Sequence, residues 1–146
     1  MLCRWLFIVP AFLSLGCSVK CGPPAHFEHG EGLVSRADGH CYEFWIGEHE
    51  TANLPAWQIE QPLPHSIAEI AKVADGEVHN YVASPKEWSV EQVSIQELDF
   101  GFHKTGKWFF IVEYHSKTAG SDDLLRIPVL FDGTVVKGTR TECGTR

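Results

Sequence analysis

The sequence predicts an α+β fold, in which one main helix packs on an antiparallel meander of four to five strands. Apolar residues recur every three or four positions between residues 67 and 82, which indicates a helix with one buried side. Several segments elsewhere alternate apolar and polar residues, and this period of two is typical of strands. An Asp132-Gly133 pair separates the last two apolar runs, and such a pair favours a tight hairpin turn because glycine adopts positive φ readily.

The helix carries its own start and stop signals. Ser66 and Glu69 have the spacing of a capping box, in which each side chain accepts a hydrogen bond from the backbone N–H of the other residue. Gly76 lowers helix stability by about 1 kcal/mol relative to alanine, yet the apolar spacing continues through it. The helix is therefore expected to run from Ser66 towards Ser84, and Pro85 ends it.

The strands are predicted from their alternation. The run at 93–102 changes phase near Gln96, which predicts a β-bulge, and residues 104–107 are expected to form a hairpin loop. Both faces of the run at 108–114 are apolar, which predicts a central strand. The predicted strands span 40–47, 93–102, 108–114, 125–131 and 134–137.

The beginning of the chain resembles the signal sequence of bacterial lipoproteins. Arg4 precedes an uncharged apolar run over residues 5–15, which is long enough for an export signal and shorter than the roughly 20 residues that span a bilayer. Gly16 then precedes Cys17, as a small residue precedes the lipidated cysteine in lipoproteins. The resemblance implies cleavage before Cys17 and attachment of acyl chains, such as palmitate, to it. The alternative is a signal cut between Gly16 and Gly22, which leaves a soluble secreted or periplasmic protein.

The chain is accordingly divided into a signal peptide at 1–16, a flexible tether at 17–39 and a single α+β domain at 40–146. The tether is assigned because residues 18–39 are rich in glycine, proline, histidine and glutamate and have little apolar periodicity. The expected location is a bacterial cell envelope, where the lipid anchor holds the domain to a membrane. The formal net charge of −7 and the lack of a basic stripe argue against nucleic acid as a partner.

The cysteine count depends on the anchor. If Cys17 is lipidated, the mature chain has three other cysteines, and in an oxidising compartment two of these are expected to pair. A bond between Cys41 and Cys143 would tie the C-terminal tail to the domain, whereas Cys21 with Cys41 would tie the tether. The sequence leaves both pairings open. Without lipidation, four cysteines would permit two disulfides.

Residues 65–139 combine a predicted helix that contains Ala68 and Ala71 with aromatic strand residues and a turn before a Val-rich strand, and the latter residues are Trp108, Phe110, Tyr114 and Asp132-Gly133-Thr134-Val135. In this pattern they resemble the PepSY-like domains and, less closely, the cystatin-like folds. The whole chain is loosely similar to small exported bacterial proteins of unknown function. The PepSY-like resemblance implies an exported domain that binds or inhibits peptidases without chemistry of its own. Inhibition is not inferred, since residues 92–96 lack the glycine of the cystatin Gln-x-Val-x-Gly loop.

The histidines suggest an alternative function in metal binding. Imidazole, thiolate and carboxylate groups are ligands of zinc and copper, and several of them are close together in the first third of the chain. No His-Glu-x-x-His or paired Cys-x-x-Cys motif accompanies them, and no cofactor is expected. The candidate ligands are His26, His29, His40 and His49, with Glu28, Glu31 and Cys41 nearby in the sequence.

A further alternative is a small hydrolase. Such an enzyme needs a nucleophile, a base and an orienting acid, but adjacent residues on a strand point to opposite faces, and no Gly-x-Ser-x-Gly motif occurs. No catalytic residue is therefore assigned, and a non-catalytic protein is expected. The residue types that such an enzyme would draw on are His65, Ser66, His115, Ser116, Asp122 and Asp123.

The main expectation is a binding or interaction module displayed from the envelope. Its ligand would be a protein, a peptide or a glycan, held by one face of the sheet or by the loop around Trp57. Exposed aromatic rings suit such contacts because they bury a large area at low entropic cost. The candidate rings are Trp57 and Trp88, which lie near loop boundaries, and Trp45, which lies in a predicted strand.

Overall fold

The computed structural model describes residues 30–100, 104–118 and 123–143. The described residues form a six-stranded antiparallel sheet and one main helix, so the α+β class is confirmed and the strand count exceeds the predicted four to five. The elements are β1 (Gly30–Ala37), β2 (His40–Gly47), α1 (Glu48–Thr51), α2 (Ile67–Val78), β3 (Trp88–Asp99), β4 (Lys104–Ser116), β5 (Leu124–Leu130) and β6 (Gly138–Thr141), with a 3₁₀ turn at Pro85–Glu87.

The sheet begins ten residues earlier than the predicted domain. Residues 30–37, which were expected to belong to the flexible tether, form β1 and pair with β2 along its whole length. The two strands are joined by Asp38 and Gly39, which both have positive φ, at 50° and 74°. This is the two-residue turn that matches the twist of a hairpin, and an Asp-Gly pair favours it. The tether prediction is therefore wrong from Gly30 onward.

The strand order is β3-β4-β5-β1-β2-β6, which is more than a simple meander. Strands β3, β4 and β5 follow one another as predicted, and β4 is an interior strand, as its two apolar faces predict. The β1–β2 hairpin continues the sheet through one bridge between Arg36 and Leu124. The segment at 134–137, which was predicted as the last strand, forms one bridge to β5 between Val135 and Val129, and the last strand, β6, begins at Gly138 and pairs with β2. Residues 104–107, which were predicted as a loop, lie inside β4.

The predicted Asp132-Gly133 turn is present, and its loop has three residues. Gly133, at a φ of 87°, donates its N–H to the carbonyl oxygen of Leu130, and Val129 faces Val135. The N–H of Val136 then donates to the carbonyl oxygen of Pro128 at 3.0 Å. In antiparallel pairing the N and C=O of one residue face the same side. The missing N–H of Pro128 therefore points away from β4, and the proline fits inside the sheet.

Helix α2 begins as the sequence predicts and ends earlier. Ser66 caps it by accepting the N–H of Glu69, whose carboxylate accepts the N–H of Ser66 at 2.8 Å. The hydrogen bonds that the Glu69 carboxylate accepts from the N–H and the hydroxyl of Ser66 lower the pKa of Glu69. The helix ends at Val78, and the chain then turns so that Tyr81 and Val82 still reach the core.

The core lies between α2 and one face of the sheet, here called the helix side. Tyr42, Phe44 and Ile46 of β2 are buried on this side, as their alternation predicts. Tyr114 of β4 donates its hydroxyl hydrogen to Asp75 of α2 at 2.8 Å, and burial is the main cause that raises the pKa of this phenol. This contact fixes the helix over β4 and β5.

The other face of the sheet, the outer side, is apolar on β4 and β5 and more open on β1 and β2. Phe109 and Ile111 are buried there, on the face of β4 opposite to the one that carries Tyr114. Glu31 of β1 contacts Gln96 of β3, which faces Phe109 across the β3–β4 pair. Strands β1 and β3 are three places apart in the strand order, and in a flat sheet they would be separated by about 14 Å. The sheet is therefore strongly curved, and the start of β1 covers the outer side of β4.

A disulfide bond joins Cys41 of β2 to Cys143, with their Cα atoms 5.2 Å apart. Of the two pairings that the sequence left open, the structure contains the one that ties the C-terminal tail to the domain. Cys17, the predicted lipidation site, and Cys21 lie outside the described residues. Within the described ranges no helix has both the length and the apolar character needed to cross a bilayer.

Candidate functional site

The most exposed aromatic platform among the described residues is Trp45, on the outer side of β2. Gly32 is directly opposite Trp45 in the β1–β2 pair, and Gly30 is the next residue of β1 on the same side. A Cβ atom added to Gly32 would lie 3.4 Å from the indole ring, and one added to Gly30 would lie 2.6 Å from it. The ring therefore lies across the backbone of two glycines. Its side chain keeps 44% of its surface exposed, which leaves part of the indole open to solvent.

This arrangement explains why the sequence has glycine at both positions. A side chain at Gly30 would collide with the indole and would also lie 2.8 Å from the carbonyl oxygen of Ile46, which cannot move without breaking the strand pair. An aromatic residue that covers a cross-strand glycine shields the backbone and stabilises the pairing. The platform is thus positioned by the hairpin itself and needs no ligand to order it.

Two shallow clefts meet at Trp45, and together they are called the Trp45 surface. The first has a volume of about 250 Å³ and the second about 350 Å³, and Trp45 and Lys137 line both. These volumes are at the lower end of the range for small-molecule pockets. The surface is accordingly suited to a single projecting group rather than to an enclosed molecule. The remaining lining residues are Glu43 and Thr139 in the first cleft and Glu50, Leu130, Asp132, Thr134, Val135 and Val136 in the second.

Acidic groups dominate the charge of the Trp45 surface. Glu43, Glu50 and Asp132 line its clefts and Lys137 is the one basic residue among their lining residues. Lys137 forms an ion pair with Glu77 of α2, and this contact is the main cause that lowers the pKa of Glu77. The positive charge at the rim is therefore already matched by a carboxylate outside the clefts.

The two other candidate tryptophans belong to the core. Trp88 is only 6% exposed, so it is not accessible to a ligand and its prediction as a binding residue is wrong. Trp57 is half-buried and forms edge-to-face contacts with the rings of Trp108 and Phe131, 5.3 and 5.5 Å away. Its indole N–H donates to the carbonyl oxygen of Pro62. Trp57 therefore closes one end of the core, and its loop offers little free ring surface.

The histidines proposed as metal ligands do not come together. His40 is the first residue of β2 and His49 lies in α1, just after the end of β2, and a strand of this length separates its ends by about 25 Å. His40 contacts Arg140 through its Nδ1 atom at 2.9 Å. One metal ion cannot bind both, so the predicted four-histidine site is wrong for this pair. His26 and His29 lie outside the described residues, among which no group of three or more metal-ligating side chains occurs.

The described residues that were considered for a hydrolase make other contacts and do not form a catalytic group. The Ser66 hydroxyl caps α2, and His65 lies beside the turn at Gly133. His115 forms an ion pair with Glu91 at 2.7 Å, while the hydroxyl of Ser116 accepts the N–H of Thr118. The carboxylate of Asp123 faces Arg36 and the N–H of Gly39, and Asp122 lies outside the described residues. None of the described contacts joins a serine hydroxyl to a histidine.

A wider depression on the helix side is less suited to a ligand. Its volume is about 560 Å³, and its lining includes Tyr42, Tyr81 and Gly138. These groups bind one another, since Tyr42 donates to the Tyr81 carbonyl and the Tyr81 hydroxyl accepts the N–H of Gly138, both at 3.0 Å. The polar groups of the depression therefore connect β6 to the chain after α2 and are not free for a ligand.

Glu31 is the least satisfied polar side chain among the described residues. One of its carboxylate oxygens contacts the amide of Gln96, and the other is buried without a hydrogen-bond partner. Burial is the main cause that raises the pKa of Glu31 above 4.5, and the nearby charge of Asp99 also raises it. Since this glutamate binds its proton more tightly in the folded chain than in the unfolded chain, stability falls as pH rises through the window above 4.5.

Replacing Glu31 with glutamine is expected to remove the decrease in stability that this residue causes as pH rises. The expected gain in the free energy of unfolding at pH 7 is less than about 1 kcal/mol, because the carboxylate is partly solvated. The amide oxygen of the new side chain still accepts the hydrogen bond from Gln96. Urea unfolding at pH 4 and pH 7 measures the effect, with Glu60→Gln in an exposed loop as the control. A Glu31→Gln protein that is less stable than the unsubstituted protein at pH 7 would contradict this account.

The surface was only partly predictable from the sequence. Trp45 was one of three candidate rings, whereas Gly30 and Gly32, which hold it, were assigned to the tether. A Gly-x-Gly pair before an Asp-Gly turn was the signal that could have found them, because counting outward from the turn places Gly32 opposite Trp45.

Comparison of the chain with known protein families, with curated proteins and with solved structures gives no match.

Proposed function

We propose that this protein is an exported, lipid-anchored, non-catalytic binding module of a bacterial cell envelope, and that it holds its ligand through the Trp45 surface. The observation that carries the proposal is the exposed indole of Trp45, which is fixed on the backbone of Gly30 and Gly32. Tryptophan is enriched among the few residues that contribute most of the binding energy of an interface, and such residues lie near its centre.

The fixed position of Trp45 favours affinity. Ordering a free side chain on binding costs about 0.5–1.5 kcal/mol, and a ring that is already held in place avoids most of this cost. Val34 extends the apolar surface along β1 on the same side, with 59% of its area exposed. The two side chains supply a small apolar centre with polar groups around it, which is the usual composition of an interface.

The disulfide between Cys41 and Cys143 supports the proposed location. Disulfide bonds persist in oxidising compartments such as the periplasm and are rare in the cytosol. Export and lipidation themselves rest on the N-terminal sequence. The intact mass of the protein from the membrane fraction of a bacterial host tests them, and a mass that begins at Cys17 and includes acyl chains is expected. A soluble product of unmodified mass would exclude the anchor.

Photo-crosslinking in living cells tests the binding surface. A benzophenone amino acid at Val34 is expected to give a discrete adduct that disappears when Trp45 is also changed to alanine. Ile59, which is 72% exposed in the loop after Trp57, provides a matched apolar control position and is expected to give no such adduct. Equal labelling from both positions, or an adduct at Val34 that survives Trp45→Ala, would contradict the proposal.

A further inference from the structure

We propose that the group bound on the Trp45 surface is a cationic side chain, arginine or lysine, of a basic polypeptide. This inference rests on the proposed function and names the chemistry of its ligand. It is drawn from the position of the carboxylates around the exposed indole, from the size of the clefts and from the charge of the chain.

The first carboxylate is close to the ring. A carboxylate oxygen of Glu43 and the indole edge of Trp45 lie 3.8 and 3.4 Å from the same point beside Gly32. Glu43 has no hydrogen-bond or ion-pair partner among the described residues. A positive group placed over the indole would therefore meet an available carboxylate without any rearrangement of the hairpin.

The second cleft contributes carboxylates on another side of the ring. Glu50 accepts the N–H of Gly47 with one oxygen, and Asp132 accepts the N–H of Thr134 with one oxygen, so each side chain is held in place. Their charges remain uncompensated by any ion pair among the described residues. Lys137, the basic residue of the surface, is paired with Glu77.

An indole face bounded by carboxylates is favourable for a cation and unfavourable for an anion. The negative face of an aromatic ring attracts ammonium and guanidinium groups, and tryptophan is the strongest of the aromatic residues in this respect. Guanidinium groups also stack on flat rings and pair with carboxylates through two parallel hydrogen bonds. The clefts of about 250 and 350 Å³ are of a size for one such side chain.

The charge of the whole chain acts in the same direction. A formal net charge of −7 repels acidic partners and attracts basic ones, and this attraction raises the rate of association. A polypeptide that presents arginine or lysine on an extended segment could place one side chain on Trp45 and neighbouring ones against Glu43, Glu50 or Asp132.

Calorimetric titration tests the inference. The full protein, purified from the membrane in a neutral detergent, is titrated with a hexapeptide of arginine and with the matched hexapeptide of citrulline, which has the same shape without the charge. Three variants are compared: Trp45→Ala, Glu43→Gln and, as a control of equal charge change, Glu91→Gln on β3, which is an edge strand of the sheet. Circular dichroism of each variant establishes that it is folded.

The expected result is binding of the arginine peptide and at least about tenfold weaker binding of the citrulline peptide. Trp45→Ala is expected to weaken binding about five- to thirtyfold and Glu43→Gln about two- to fivefold, while Glu91→Gln has a smaller effect. Equal affinity for the two peptides would overturn the inference, and so would equal losses from Glu43→Gln and Glu91→Gln.

The test separates this inference from the proposed function. If neither peptide binds and the Val34 adduct still depends on Trp45, the cationic ligand is excluded and the binding surface stands. A Trp45-dependent affinity for a neutral oligosaccharide, with none for the arginine peptide, would also exclude the cation and assign the surface to a glycan. Absence of the Val34 adduct, by contrast, would contradict the proposed function itself.

Discussion

Removing the disulfide is expected to lower the free energy of unfolding by about 2–5 kcal/mol. The bond closes a loop with a sequence separation of 102 residues, so it restricts almost the whole described domain in the unfolded state. A loop of about 100 residues corresponds to about 4.7 kcal/mol in the chain-entropy treatment. The bond also holds β6, which is only four residues long, against the edge of β2.

Urea unfolding of a Cys41→Ala, Cys143→Ser double variant measures this contribution without leaving a cysteine of the pair free to react. Reduction of the unsubstituted protein with dithiothreitol is expected to lower its stability by a similar amount. Hydrogen exchange is expected to show the largest loss of protection in β6 and in the β2 amides that pair with it. A loss of stability below about 1 kcal/mol would show that the bond does not constrain the unfolded chain as described.

Changing Trp88 to alanine is expected to destabilise the protein by about 3–5 kcal/mol, because the ring is buried and its removal leaves a cavity. The same change at Trp45 is expected to cost only about 1–2 kcal/mol, since nearly half of that side chain is already exposed. The pair of variants thus separates a core tryptophan from a surface one.

Thermal and urea unfolding of the two variants, with Trp57→Ala as an intermediate case, provide the measurement. Trp57 keeps ring contacts with Trp108 and Phe131, so its replacement is expected to fall between the other two. A Trp45→Ala protein as unstable as Trp88→Ala would mean that the indole of Trp45 is needed for folding. The packing of the indole on Gly30 and Gly32 would then serve folding, and it would no longer indicate a binding surface.

Local signals predicted the helix and the central strands well. The Ser66–Glu69 capping box is present, and both faces of β4 are apolar because it lies inside a curved sheet. These features depend on residues close together in the chain, and spacing alone defines them. The end of α2 was not predictable in the same way, since Tyr81 and Val82 keep the apolar spacing although the chain has left the helix.

Long-range pairing determined the features that the sequence did not predict. Strand β1 was missed because glycine and glutamate give it low strand propensity, and its stability comes from β2. The Asp38-Gly39 turn was the available local signal. The three-residue loop at Asp132-Gly133 places Val129 opposite Val135, and this register directs the carbonyl oxygen of Pro128 towards the N–H of Val136. The position of β6 beside β2 depends on contacts that no local pattern contains.

Oxidative footprinting of the tryptophans in the cell envelope tests the central claim most directly. Hydroxyl radicals are expected to oxidise Trp45 readily and Trp88 hardly at all in the purified protein, in accord with their exposed fractions of 44% and 6%. In intact cells the account predicts that Trp45 becomes protected, because a ligand covers its ring, while the exposed loop at Ile59 stays as reactive as before. Equal oxidation of Trp45 in the purified protein and in the envelope would contradict the claim that this surface is occupied there.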